Sequence, residues 1–132
     1  MLPDPHLRAP IAIALGAIPG ALARYYVSLA CSQWWGNGWP WGTLLVNVLG
    51  SFLLGFFVTW VLERSLPVSP EIQLLITVGF LGSFTTFSTY TLDVITLGRS
   101  HTVVLAFGYW LGSAVLGVIS LYAGILAVQL LR

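Results

Sequence analysis

Four long apolar stretches, separated by short polar connections, occupy almost all of this 132-residue chain. A helix needs about 20 mostly apolar residues to cross the hydrocarbon core of a bilayer. The sequence therefore predicts an all-α membrane protein with four transmembrane helices, at about residues 10–31, 41–62, 72–97 and 102–131. Because these spans fill the chain, we expect a single transmembrane domain over residues 1–132.

The composition excludes most classes of soluble protein. Hydrophobic residues make up 58% of the chain and charged residues 7%, against about 25% charged residues in an ordinary soluble domain. A net charge of +1 provides no basic surface for nucleic acid. The single cysteine, Cys31, allows no internal disulfide, and the sequence contains no motif for nucleophilic, phosphate or zinc chemistry. We therefore expect no enzyme and no nucleic-acid partner.

The N-terminal stretch allows one alternative interpretation. Arg8, a short apolar run and the Ala-Leu-Ala sequence at residues 21–23 are compatible with a secretory signal peptide and its cleavage site. Gly16, Pro19 and Gly20 interrupt that run, however, and cleavage would leave an odd number of spans. We interpret the stretch as the first span.

The arginines give only a weak preference for one orientation in the membrane. Four spans place three arginines on one side and two on the other, namely Arg8, Arg64 and Arg132 against Arg24 and Arg99. A difference of this size does not determine topology by the positive-inside rule. Two interpretations stay open: a single weakly determined orientation, or insertion in both orientations, which would allow an antiparallel pair.

Small and polar residues form stripes within the spans. Gly16 with Gly20, and Gly108 with Gly112, have the spacing that permits close helix packing in lipid, and such stripes also suggest an oligomer. In span two, Thr43, Asn47, Ser51 and Gly55 share one helix face. Asn47 either forms an interhelical hydrogen bond or offers a neutral N–H donor to an anion pathway, and span two alone does not distinguish these roles.

The middle of span three, GFLGSFTTFSTY at residues 79–90, combines two glycines with five serine or threonine residues. These residues are mediocre helix formers, so we predict that the third helix is broken near its middle. Irregular backbone at membrane depth must be buried in protein or line a cavity, and its free carbonyls can coordinate a cation such as Na⁺. Phe87 and Tyr90 project from one side beyond the break, where ring edges could receive an anion, although simple packing is the alternative.

Two charged residues lie within the predicted spans, Arg24 near the end of span one and Asp93 in the second half of span three. A charge inside the membrane indicates a functional site by default. For Arg24, extension of the side chain to the interface is an equal alternative. The sequence assigns no role to Asp93.

Three stretches of the chain are similar to the Fluc (CrcB) family of small bacterial fluoride channels. They are GALARY at residues 20–25, GTLLVNVLGSF at residues 42–52, and residues 79–90 with TTFST at their centre. They occur in the expected order, and the four-span plan extends the resemblance over nearly the whole chain. Tyr90 stands where the family usually has Phe, and Gly117 follows Ser113 by about one turn, where a further hydroxyl is expected.

The resemblance implies an antiparallel, dual-topology homodimer with two fluoride pathways and a central structural Na⁺. Backbone carbonyls of Gly82 and Thr85 from both subunits would hold the Na⁺. Arg24 would lie at the wide entrance of the pathway. The remaining pathway residues would be an amide, two aromatic rings and a track of hydroxyls: Asn47, Phe87, Tyr90, Thr43, Ser88, Thr89, Tyr109 and Ser113.

The function that the resemblance implies is passive export of fluoride across the bacterial cytoplasmic (inner) membrane, which lowers fluoride toxicity. The main alternative is a small four-helix, dual-topology multidrug or cation exporter. Such an exporter needs a carboxylate inside the membrane, usually in the first span, whereas Arg24 is the only charge in this first span. A membrane scaffold without transport activity is a third possibility, and it leaves the TTFST cluster unexplained.

Overall fold

The protein is described by a computed structural model that covers residues 4–63 and 67–131. Its helices are α1 (Pro5–Trp35), α2 (Trp41–Glu63), α3 (Pro70–Leu74), a π-helical segment (Leu75–Leu81), α4 (Gly82–Phe84), α5 (Phe87–Ser100) and α6 (Val103–Leu130). Arg64 and Arg132, two of the five arginines used to predict topology, lie outside the described residues.

Four segments of the described chain are long and apolar enough to cross a membrane: His6–Trp35, Trp41–Glu63, Pro70–Ser100 and Val103–Leu130. They coincide with the four predicted spans, so the prediction of four membrane-spanning helices is confirmed. The first helix is longer than expected at both ends. At its start, Asp4 caps the helix by accepting a hydrogen bond from the N–H of His6 at 3.0 Å. It ends before Gly36, whose φ of 77° favours glycine.

Glycines let α2 and α6 pack with their backbones in close contact. A Cβ on Gly55 would lie 2.2 Å from the carbonyl oxygen of Leu121, and one on Gly124 would lie 2.2 Å from that of Phe52. The Ser120 hydroxyl adds a hydrogen bond of 2.7 Å to a backbone carbonyl of α2. These close approaches are typical of helix pairs in lipid. The hydrophobic effect does not drive helices together there, so association depends on close packing, which small residues permit.

The first helix packs in the same way against the third span. A Cβ on Gly16 would lie 2.0 Å from the carbonyl oxygen of Leu75, and one on Gly20 would lie 2.3 Å from that of Phe80. The predicted packing role of this pair is therefore confirmed. The second predicted pair behaves differently, because a Cβ on Gly108 or Gly112 would have no atom of the described chain within 4 Å.

The third span departs from a regular helix in two places. Residues Leu75–Leu81 form a π-helical turn, which the sequence did not predict. Thr85 and Thr86 then adopt extended backbone between α4 and α5. The predicted interruption of the third helix is thus present, and it places non-helical backbone in the middle of a membrane-spanning segment.

Candidate functional site

The break in the third span is built by two threonines. Thr85 (φ −82°, ψ 158°) ends α4, and both its N–H and its hydroxyl donate to the carbonyl of Leu81 at 3.0 Å. Thr86 (φ −150°, ψ 120°) begins α5 as its N-cap, since its hydroxyl oxygen accepts from the N–H of Thr89 at 3.2 Å. Threonine hydroxyls therefore satisfy part of the backbone that the break exposes.

Asn47 of α2 satisfies another part of that backbone. Its Nδ2 donates to the carbonyl of Thr86 at 3.0 Å, and the N–H of Thr86 donates to its Oδ1 at 2.8 Å. We call this reciprocal pair the amide clamp. The interhelical hydrogen bond that the sequence left open is present, while the pathway role of Asn47 stays a prediction. The amide also has a second Nδ2 hydrogen available.

The break removes the usual donors from two backbone carbonyls. In an uninterrupted helix, the carbonyls of Gly82 and Thr85 would accept from the N–H groups of Thr86 and Thr89. Those N–H groups donate instead to Asn47 and to the Thr86 hydroxyl. Carbonyls released from a broken helix hold Na⁺ in some membrane transporters, so the ligand chemistry at Gly82 and Thr85 fits such an ion.

One hollow of about 290 Å³ collects these features between α2 and the third span. Asn47 and Ser51 line it from α2. Gly82, Thr85 and Phe87 line it from the third span. The hollow thus combines the amide, the two candidate cation-binding residues and one of the two predicted aromatic rings. We call it the break hollow.

The two predicted aromatic rings are adjacent but differ in environment. Phe87 and Tyr90 have ring centroids 5.7 Å apart, yet Phe87 is 76% exposed and Tyr90 only 6%. The Tyr90 hydroxyl donates to the backbone carbonyl of Trp110, and this hydrogen bond joins α5 to α6. Tyr90 also packs against Tyr109, at a centroid distance of 5.5 Å. Phe87 is therefore the ring that this chain leaves open to contact.

A second cavity of about 540 Å³ lies beside the tryptophan-rich connection between α1 and α2. Thr43, Thr89 and Asp93 line it, so it holds two of the predicted hydroxyls. The carboxylate of Asp93 accepts a hydrogen bond from the hydroxyl of Tyr109 at a long 3.4 Å. We call this the polar cavity. Asp93 was predicted to lie within a span, but its hydrogen bond with a predicted pathway hydroxyl was not predicted.

Five predicted site residues line neither of these two cavities: Arg24, Ser88, Tyr90, Tyr109 and Ser113. Arg24 is partly exposed on α1, and Ser88 is exposed in the first turn of α5. The hydroxyl oxygen of Ser113 is buried and has no hydrogen-bond partner in the described part of the chain. A single chain therefore brings four of the eight predicted pathway residues to the two cavities, and Tyr90 and Tyr109 pack in the core between α5 and α6.

Thr86, at the centre of the break, was not among the predicted site residues. Its signature was available, because a threonine after several poor helix formers is a typical N-cap. Its pairing with Asn47 was not available, since the two residues are 39 positions apart and belong to different spans.

Comparison with known proteins decides the family. Residues 11–125 match the family model described as CrcB-like protein, Camphor Resistance (CrcB). The chain belongs to the CrcB family. The resemblance inferred from the three sequence stretches is therefore confirmed, and the match includes most of each membrane-spanning segment and all the residues that line both cavities.

Curated CrcB relatives cover nearly the full length of the chain. A protein named fluoride-specific ion channel FluC from Trichormus variabilis is 54% identical, over 96% of this chain and 92% of its own. Proteins of the same name from a Synechococcus species and from Hahella chejuensis are 48% and 42% identical. The alignments cover 98% of this chain and 98% of the relative in the first case, and 96% and 97% in the second.

Proposed function

We propose that this chain forms a fluoride channel that lets fluoride leave the cytoplasm passively. The observation that carries the proposal is its place in the CrcB family together with full-length relatives named fluoride-specific ion channel. A channel conducts an ion down its electrochemical gradient and catalyses no reaction, so we assign no enzymatic activity. The same names favour this function over the alternative of a multidrug or cation exporter.

The chemistry of the cavities is compatible with a small, strongly hydrated anion. A pore for such an ion must replace its water with donors, yet bind weakly enough for the ion to leave. The proposed pathway offers neutral donors for this purpose: the Asn47 amide, the positive edge of Phe87, and the hydroxyls of Thr43 and Thr89. Each of these residues lines the break hollow or the polar cavity. Tyr109 would belong to the same hydroxyl track, with its own hydroxyl hydrogen directed to Asp93.

The remaining predicted residues complete this proposal. Ser88 and Ser113 would extend the hydroxyl track, and Arg24 would attract fluoride at the wide entrance. Tyr90 would supply the second ring, with its hydroxyl directed to the Trp110 carbonyl and its ring beside that of Phe87. The buried Ser113 hydroxyl, which has no partner among the described residues, is available to an ion in the same region.

We further propose that two copies assemble as an antiparallel homodimer. Phe87 is 76% exposed and lines the break hollow, which is open on one side in a single chain. A second copy packed on this face would close the hollow and bury the ring. The near balance of arginines between the two sides is consistent with insertion in both orientations.

A structural Na⁺ at the centre of that dimer fits the donor set of the break. The carbonyls of Gly82 and Thr85 lack their helical donors, and two copies would supply four such oxygens. When bound, the ion would neutralise these dipoles and link the two broken helices. The amide clamp of Asn47 on Thr86 would hold the carbonyls in place.

The direction of transport follows from the membrane potential. In a bacterial cytoplasmic membrane, hydrogen fluoride enters as a neutral acid and dissociates inside. A potential of about 100 mV, negative inside, is worth about 2.3 kcal/mol for one charge and so favours external fluoride by roughly fiftyfold. A passive pathway is therefore sufficient for export.

The proposal is tested by efflux from proteoliposomes loaded in turn with fluoride, chloride and a lipophilic cation. We expect rapid fluoride efflux, little chloride efflux and none of the cation. Efflux of the cation alone would indicate an exporter of the multidrug class. Tags at the N-terminus should be accessible from both sides of the cell membrane in comparable amounts, and a one-sided result would exclude the antiparallel homodimer.

A further inference from the structure

A groove between α5 and α6 has no role in the proposed ion pathway. It has a volume of about 540 Å³ and lies on the exposed surface of the helix pair. Val103 and Phe107, which are 76% and 58% exposed, form part of its wall. It reaches from Arg99 and Val103 at the α5–α6 connection to Trp110, seven residues and thus roughly 10 Å further along α6.

Arg99 gives this groove a charged end. The side chain is exposed and forms no ion pair or hydrogen bond within the described residues. The nearest acid along α5, Asp93, lines the polar cavity instead, as do Ser100 and His101. Arg99 is thus a cation at the end of an apolar surface, with no acidic residue among those that line the groove.

A comparable groove elsewhere on the chain lacks this asymmetry. It has a volume of about 390 Å³, lies between α1 and the third span, and is lined by both Arg8 and Glu71. Its apolar wall is similar, with Ile11 and Leu15 among the lining residues. The two grooves therefore differ in charge. Glu71 balances Arg8 in one groove, whereas no acidic residue lines the other groove to balance Arg99.

We propose that the α5–α6 groove binds an anionic phospholipid, with an acyl chain along the apolar wall and the phosphate at Arg99. Guanidinium groups bind phosphate with two parallel hydrogen bonds, and a basic residue near the membrane surface attracts anionic lipid. The first turn of α6 begins at the same end, where the Thr102 hydroxyl accepts from the N–H of Leu105 at 3.1 Å. This site is separate from both cavities and does not depend on the identity of the transported ion.

The test compares lipid adducts on the purified protein by native mass spectrometry. The probes are phosphatidylglycerol and phosphatidylcholine with identical acyl chains. We expect about a fivefold preference for phosphatidylglycerol, the factor that corresponds to about 1 kcal/mol per basic residue at an anionic surface. The preference should fall to nearly one in Arg99→Gln and persist in Arg8→Gln, the matched control. No preference in the wild type, or an unchanged one in Arg99→Gln, would overturn the proposal.

A photoreactive residue identifies what covers the groove in a membrane. We expect Phe107→p-benzoyl-phenylalanine to crosslink to lipid, with a higher yield in vesicles of phosphatidylglycerol than of phosphatidylcholine. A crosslink between two copies of the chain would show that the groove is an interface between protomers, and the lipid site would then be rejected. Neither readout uses fluoride transport, so a failure here is distinguishable from a failure of the proposed channel function.

Discussion

Replacement of Asn47 by leucine tests whether the amide clamp holds the broken helix. The change keeps the approximate size of the side chain but removes both hydrogen bonds to Thr86. An interhelical hydrogen bond in a membrane protein contributes about 0.6 kcal/mol on average. Loss of the two bonds alone should therefore lower the free energy of unfolding by about 1 kcal/mol. Because Thr86 is only 8% exposed, its unpaired N–H and carbonyl add a desolvation cost of about 1–3 kcal/mol each when water does not reach them.

We therefore expect Asn47→Leu to lower the free energy of unfolding by about 2–4 kcal/mol. The measurement is an unfolding titration with SDS in mixed micelles. Ser51→Ala is the matched control, because Ser51 lies one turn further on the same face and forms no side-chain hydrogen bond in the described part of the chain. A loss below about 0.5 kcal/mol in Asn47→Leu, the usual size of a neutral surface change, would refute the clamp.

A charged substitution at the same position separates the clamp from the pathway. Asn47→Asp keeps an acceptor for the N–H of Thr86 but places a carboxylate oxygen where an N–H group lay 3.0 Å from the Thr86 carbonyl. The negative charge would also repel an anion strongly in this low-dielectric setting. We expect fluoride efflux to collapse in vesicles that contain folded Asn47→Asp. Near-normal efflux would show that Asn47 serves packing alone.

Four further substitutions test the rings and the glycine contacts. Phe87→Ile should abolish most fluoride efflux, whereas the control Phe57→Ile should not, because Phe57 forms no aromatic pair within the described ranges. Equal efflux from the two variants would exclude the ring-edge role. Tyr90→Phe should retain efflux and lower stability by about 0.5–1.5 kcal/mol, because it removes the bond to α6. Gly79→Ala, whose Cβ would lie 2.6 Å from a backbone oxygen of α1, should cost about 1–3 kcal/mol in unfolding titrations. Gly112→Ala, with open space around it, should be neutral or stabilising.

Hydropathy and local propensity were sufficient to predict the four spans and the position of the break. The spans follow because only helices of about 20 apolar residues satisfy the backbone within lipid. The break follows because residues 79–90 concentrate Gly, Ser and Thr, and it occurs at Thr85 and Thr86 within that segment. Both features depend on residues that are close in sequence, which is why a single sequence contains them.

Features that depend on a partner in another helix were not predictable in the same way. The sequence showed Asn47 as a polar residue in an apolar span, but its partner Thr86 is set by how α2 and the third span pack. The π-helical turn at Leu75–Leu81 has no local propensity that distinguishes it from α-helix. Gly108 and Gly112 have the packing spacing without a packing partner among the described residues, because spacing identifies a face and not what covers it.

The break, the clamp and the candidate cation site are three consequences of one arrangement. Two N–H groups that a continuous helix would use internally are taken by Asn47 and by the Thr86 hydroxyl, and each diversion leaves one carbonyl without its donor. The groups around the break are thereby neutral, whereas the carboxylate of Asp93 lies apart from them in the polar cavity. A fixed charge would hold an ion of opposite sign too firmly to conduct it, whereas dipoles of this kind compensate for lost water and still let the ion leave. The amide clamp therefore stabilises the broken backbone on which both proposals depend, the Na⁺ site at Gly82 and Thr85 and the fluoride pathway beside Asn47.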